Sequence, residues 1–224
     1  MTRPLRRELA KYETWLLDCD GVLLDSNRLK TDAFREVARE LGEAAAEQLV
    51  AYHVEHGGVS RHVKFRYLQE QILGQAFDER LQAQLLAAFS TKTKAMLLEC
   101  PMTDGCLELL EAIGRRGAKA FVVSGGDQDD LRQVFAARDL AKHFAAIYGS
   151  PQTKPAIVDA LRASQASVTP AVFVGDARAD HQAAERAEAD FIFVHRYSEM
   201  EGWREYVQTR PSIVVAATLA ELLE

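Results

Sequence analysis

A chain of 224 residues is long enough for one large domain, or a domain with an insertion, around a sizeable apolar core. Its 27 basic and 33 acidic residues leave a formal net charge of −6 with no basic patch and interleaved aromatics, which argues against a nucleic-acid partner. Three cysteines, Cys19, Cys100 and Cys106, form no close metal-type pair and suit a reducing cytoplasm; the charged start, residues 1–8, lacks the apolar run of a secretory signal, and no later run is long enough to span a bilayer.

The first element expected is a strand over residues 14–17, a short apolar run that climbs to Asp18-Cys19-Asp20-Gly21. In extended chain, residues two apart point the same way, so Asp18 and Asp20 project together and Cys19 turns to the opposite, packing side. Two adjacent carboxylates repel, and a hard divalent cation such as Mg²⁺ relieves the repulsion. Gly21 lets the backbone bend away. Taken alone, Asp-x-Asp is equally the start of an ordinary surface turn.

From residue 26 to 98 the pattern is helical. Leu29, Ala33, Phe34, Val37, Ala38 and Leu41 form one apolar stripe that stops at Gly42. A second helix is expected over 44–56, ending at Gly57-Gly58. Ser60 can cap a third through residue 73, and Asp78 a fourth bearing Leu81, Leu85, Leu86, Phe89, Met96 and Leu97. After Cys100-Pro101 helices and strands alternate, the signature of a parallel sheet covered by helices. Helices are expected over 105–116, after Asp127, from Pro155 and after Thr218; strands over 119–123, 145–148, 171–174, 191–194 and 213–215. Residues 196–212 give no assignment. Because the strand at 14–17 completes the later sheet, the helical stretch is an insertion: residues 1–25 and 99–224 form a Rossmann-like α/β core, and residues 26–98 a helical domain.

Open parallel sheets bind ligands at the carboxyl ends of their strands. Here those ends carry Asp18 and Asp20, then Ser124 with Gly125 and Gly126, then Asp176 and Asp180. The bare glycine amides before a helix suit an anion, although Ser124 alone is an ordinary turn residue and Asp180 alone a helix cap. Lys154, before Pro155, is either a solvated loop cation or the ammonium that offsets so many carboxylates and a phosphate.

In that order the pieces resemble the haloacid dehalogenase superfamily of phosphohydrolases: Asp18-Cys19-Asp20-Gly21, Ser124, Lys154-Pro155 and Gly175-Asp176-x-x-x-Asp180, with residues 26–98 where one branch inserts a helical cap. The resemblance implies that Asp18 is the nucleophile, forming an aspartyl-phosphate, and that Asp20 is the acid and base. It further implies Mg²⁺ on Asp18, the backbone carbonyl of Asp20, and Asp176, with Asp180 orienting that shell or Lys154, and Ser124 and Lys154 gripping the phosphoryl oxygens. Dehalogenases and phosphonatases lack the second aspartate, so Asp20 argues against both. The expected activity is a Mg²⁺-dependent phosphatase acting on a small phosphorylated metabolite, a phosphosugar or a phosphoglycolate-like compound; a mutase of the β-phosphoglucomutase type is the alternative. A receiver-like switch that accepts a phosphoryl group is a third reading, disfavoured by its short length and different order of motifs.

Substrate choice is expected in residues 53–66. Gly58-Val59-Ser60-Arg61 looks like the cap loop of β-phosphoglucomutase, and by that analogy Arg61, helped by Lys64, reaches the anionic far end of the substrate. A solvated basic helix face is the competing reading. His53 and His56 are either metal ligands from one helix face or solvated. Oligomeric state is not legible.

Overall fold

The run Thr14–Leu17 forms the central strand β1 because both of its faces are covered: Trp15 and Leu17 enter one apolar layer and Leu16 the other. The structure is a computed structural model that describes residues 3–164, 166 and 169–224, so the first two residues of the charged start lie outside it. Four helices follow β1: α1 (Asn27–Arg39), α2 (Glu43–Glu55), α3 (Arg61–Tyr67), which runs on into a π-helical turn over Leu68–Ile72, and α4 (Glu79–Glu99). They share a core of their own, centred on Phe34, Leu49, Phe65, Leu85 and Phe89. Phe34 lies against Phe65 and Phe89, ring centroids 5.3 and 4.2 Å away, so the apolar stripe of α1 is the face that meets its neighbours.

The rest of the chain alternates as expected: α5 (Cys106–Arg115), β2 (Lys119–Asp127), α6 (Gln128–Ala137), β3 (Ala146–Ser150), α7 (Lys154–Ala163), β4 (Ala171–Gly175), α8 (Arg178–Ala187), β5 (Asp190–Val194), α9 (Trp203–Gln208) and β6 (Val214–Ala216). The six strands are parallel in the order β3-β2-β1-β4-β5-β6. Helices α5 and α6 cover the face that carries Leu17, and α7 and α8 the face that carries Leu16. Leu17 pairs with Val122 on one side and Val174 on the other. The residues that follow on these three strands therefore leave the sheet at one edge, beside the central strand.

Three local expectations change. The second strand continues four residues past its expected end to Asp127, with a register shift against β3 between Val123 and Asp127. Thr218 precedes a 3₁₀ turn, Leu219–Leu222, without capping it. The unassigned stretch 196–212 holds α9, whose Trp203, Tyr206 and Val207 pack on the second core layer. Caps at Ser60, Asp78 and Asp127 form as expected. Among the described residues no helix is long and apolar enough to cross a membrane.

Candidate active site

Asp18 is the first residue past β1, and its N–H donates to Val174 O at 3.1 Å, which carries the sheet one residue further and fixes the carboxylate at the sheet edge. That carboxylate is 3% exposed. Lys154, the first residue of α7, donates to Asp18 Oδ2 at 2.9 Å and to Asp180 Oδ1 at 2.5 Å. Asp180, in the first turn of α8, also accepts on Oδ2 the N–H groups of Asp176 (3.2 Å) and Ala177 (3.1 Å). Asp18, Asp176 and Asp180 each offer an oxygen within 4.8 Å of the others. Cys19 sits in the opposite core layer, as alternation requires, and burial pushes its thiol well up.

Asp20 turns aside from this cluster. Its Oδ1 accepts from Ser26 Oγ and its Oδ2 from Lys30 Nζ, both at 2.6 Å. Gly21, at φ +72°, makes the turn between the two, and a Cβ there would lie 2.4 Å from Asp176 Oδ2, so the position needs glycine twice over. Asp176 Oδ2 accepts from Asn27 Nδ2 at 2.7 Å.

The charges are unequal in kind. Burial raises Asp18 to about 7 against the pull of Lys154, and burial together with repulsion from Asp180 and Asp18 raises Asp176 well above the carboxylate range. Burial also acts on Asp20, but there Lys30 and Ser26 outweigh it and hold the carboxyl below its usual value. Lys154 is likewise raised: burial opposes its charge, and Asp18 and Asp180 more than restore it. An all-oxygen set of crowded carboxylates fits a small hard cation. Among the described residues Asp180 already takes three donors, whereas Asp18 takes two, Lys154 and the Cys19 N–H, and Asp176 takes Asn27 alone. Asp18 and Asp176 thus keep more free lone pairs for a metal.

A cavity of about 260 Å³ opens over Asp18, Asp20 and Asp176, between the sheet edge and the helices that follow β1. Gly125, Arg61 and Lys64 line it; Ser124, Lys154 and Asp180 do not. Ser124 is fully buried, and its Oγ accepts the Gly126 N–H at 3.0 Å. Gly125 meets the helical insertion: an added Cβ would lie 2.5 Å from Gly58 O, so the glycine serves close approach as well as offering a bare amide. Of the basic residues Arg61, Lys64 and Arg66 of α3, the first two are buried and only Arg66 is on the exposed face. Arg61 is 8% exposed, and its Nη2 pairs with Asp127 Oδ2 (2.8 Å) and Asp130 Oδ2 (3.0 Å), while Nε has no partner among the described residues. Lys64 is 1% exposed and donates to His53 Nδ1 at 2.6 Å. His53 is therefore neither solvated nor paired with His56, whose Nδ1 contacts Tyr52 O at 3.0 Å.

The sequence reading omitted Asn27, Lys30, Asp127 as an ion-pair partner, Asp130 and the loop after β5. That loop bonds to the site: Ser198 Oγ donates to Asp176 O (2.6 Å), Asn27 Nδ2 to Tyr197 O (2.9 Å), and Thr31 Oγ1 to Glu199 Oε2 (2.6 Å). Lys30 carried a signal, one turn past Ser26 on the expected helix; the loop carried none.

A family model described as haloacid dehalogenase-like hydrolase matches residues 15–194. No curated protein matches. Among solved structures, a hydrolase from Pseudomonas syringae is 19% identical, with 94% of this chain and 95% of that one covered and a TM-score of 0.74. The β-phosphoglucomutase from Clostridium difficile is 18% identical over 94% and 93%, TM-score 0.71. CbbY from Rhodobacter sphaeroides, in complex with phosphate, is 19% identical over 94% and 96%, TM-score 0.70. At these identities the likeness is one of fold.

Proposed function

The chain belongs to the haloacid dehalogenase-like hydrolase family, and within it we propose a Mg²⁺-dependent phosphoric monoester hydrolase that acts in the cytoplasm on a small phosphorylated metabolite. The observation that carries this is the buried Asp18 carboxylate at the end of the central strand, met by Lys154 and opening on a cavity of about 260 Å³. Residues 26–98 act as the cap and residues 1–25 and 99–224 as the catalytic core.

In the first half-reaction an Asp18 oxygen attacks phosphorus, the bond from phosphorus to the leaving oxygen breaks, and Asp20 gives that oxygen its proton. In the second, water attacks the aspartyl-phosphate, Asp20 takes the water's proton, and phosphate leaves with Asp18 restored. The pairing with Lys30 and Ser26 keeps Asp20 in its base form, the one the second half needs; to donate in the first half it must part from Lys30 and carry a proton. Lys154 holds Asp18 and offsets charge on the phosphoryl oxygens, with Asp180 positioning Lys154. Ser124 and the Gly125 amide supply donors at the neighbouring strand end. Asp18, Asp176 and the Asp20 carbonyl would hold Mg²⁺, with Asp180 next to them; bound there, the metal neutralises charge at the phosphoryl group.

The test is repeated turnover of p-nitrophenyl phosphate with Mg²⁺, followed by a screen across sugar phosphates, phosphoglycolate and nucleotides. Failure to turn over any of them with Mg²⁺ overturns the reading. A hexose 1-phosphate supplied with catalytic bisphosphate separates the mutase, which yields an isomerised sugar phosphate, from the hydrolase, which yields free phosphate.

A further inference from the structure

The carboxylates at the sheet edge differ in what holds them. Asp18, Asp20 and Asp180 are each paired with a lysine, whereas among the described residues the Asp176 side chain is met by a neutral group, Asn27 Nδ2, on Oδ2 at 2.7 Å. An ammonium cancels a carboxylate's charge, and an amide only orients it. Asp176 is thus fixed in direction while its charge is left for a cation. The donor that fixes it belongs to the insertion, since Asn27 is the first residue of α1.

The same Nδ2 donates to Tyr197 O at 2.9 Å, so both N–H groups of the amide are committed. Tyr197 lies in the loop after β5, whose base is fastened beside β6 by the N–H groups of His195 and Arg196, which donate to Ala216 O (3.1 Å) and Ala217 O (3.0 Å). Further along the loop, Ser198 Oγ donates to Asp176 O (2.6 Å), and Glu199 Oε2 accepts from Thr31 Oγ1 (2.6 Å). Asn27 and Thr31 are four residues apart and share one face of α1. That face, the loop and both ends of Asp176 therefore close a ring of hydrogen bonds. There is no slack in it: a Cβ on Gly21 would lie 2.3 Å from Asn27 Nδ2 and 2.4 Å from Asp176 Oδ2. Helix α1 leaves this seat only if these bonds break or if Asp176 and the loop move with it.

We propose that Asn27 is a positioning residue for the cation site at Asp176, and that through the loop over 195–200 occupancy of that site and the seating of α1 stabilise each other. The inference rests on the reading of Asp18 and Asp176 as cation ligands and adds how the insertion senses whether the site is filled. The coupling is reciprocal: a cation that holds Asp176 stiffens α1 and the loop, and loosening α1 weakens the cation.

The experiment titrates the full chain with MgCl₂ by calorimetry and follows amide hydrogen exchange by mass spectrometry, in chelator and at Mg²⁺ saturating for each protein. Asn27→Ala is expected to raise the Kd for Mg²⁺ roughly tenfold or more, the range for groups that orient a metal ligand. Thr31→Val, which touches no carboxylate of the site, raises it about fivefold, the low end of couplings between sites. Glu36→Gln, which breaks an exposed pair with Lys92 elsewhere on α1, leaves it unchanged. In wild type Mg²⁺ slows exchange over 195–202 and in the first turn of α1, and in Asn27→Ala that protection is lost even at saturation. Unfolding in chelator reads any general loss of stability separately. Any one of three results overturns the proposal: unchanged Mg²⁺ affinity in Asn27→Ala, unchanged affinity in Thr31→Val, or wild type with no Mg²⁺-dependent protection over 195–202. The last needs no variant, so a failure of Asn27→Ala to fold leaves the test intact. Wild type that binds no Mg²⁺ overturns the cation reading itself, a result seen before any variant is compared.

Discussion

On the sheet side of the cavity each buried carboxylate meets a donor from within the chain: Asp18 has Lys154, Asp180 has Lys154 and two amides, and Asp176 has Asn27. On the helical side, among the described residues, Lys64 meets His53 and stands near the Phe34 ring. The first wall is held in place by the fold and suits chemistry that must be repeated identically. The second holds a buried amine that pairs with no carboxylate among the described residues. In the proposed reading, reactivity and choice are separated in the chain, one near strand ends and the other on inserted helices.

Breaking the sheet wall has the largest expected effect. Asp18→Asn lowers p-nitrophenyl phosphate turnover about 10⁴-fold, as loss of a covalent nucleophile does, and no phosphorylated protein is seen by mass spectrometry after rapid quench. Activity within tenfold of wild type excludes Asp18 as nucleophile. Lys154→Met strands Asp18 and Asp180 without their cation and lowers stability by about 3–5 kcal/mol, read from the denaturant midpoint; an unchanged midpoint shows that the pair contributes nothing net.

Titration sharpens the same contrast. Asp18 stands at about 7 and Asp176 is raised as well, so without metal the folded chain binds more protons than the unfolded one, whose carboxylates titrate near 4. Stability in a chelator is therefore highest below about pH 4 as far as these groups decide it, and is lost as pH rises toward 7 and beyond, by about 2 kcal/mol between pH 5 and 8. Millimolar Mg²⁺ flattens that slope. Thermal unfolding at the two pH values, with chelator and with Mg²⁺, measures it, and stability that rises with pH in chelator contradicts the crowding of Asp18 and Asp176.

The smallest expected effect is at the seam between the walls. Arg61→Met removes a half-shielded bridge to Asp127 and Asp130, about 1–2 kcal/mol, between the surface and buried cases. It shows as a higher KM and a larger radius of gyration in solution scattering without substrate; identical scattering and KM mean that Arg61 does not fasten the insertion.

What the sequence by itself determined is whatever local chemistry dictates. The apolar run before Asp18, the alternation after Cys100, the caps at Ser60, Asp78 and Asp127, and the order Asp18, Ser124, Lys154, Asp176 each have a signature in neighbouring residues, and the parallel fold follows from them. Only the tertiary structure decided the partners. Lys30 reaches Asp20 from a helix ten positions on, and the loop after β5, which has no periodicity to read, packs on Asp176 through Ser198 and on α1 through Tyr197 and Glu199. Arg61 and Lys64 have nearly the same local sequence environment. One is neutralised by α6 and the other is left with His53 because long-range packing, which spacing does not encode, chooses what stands opposite each side chain.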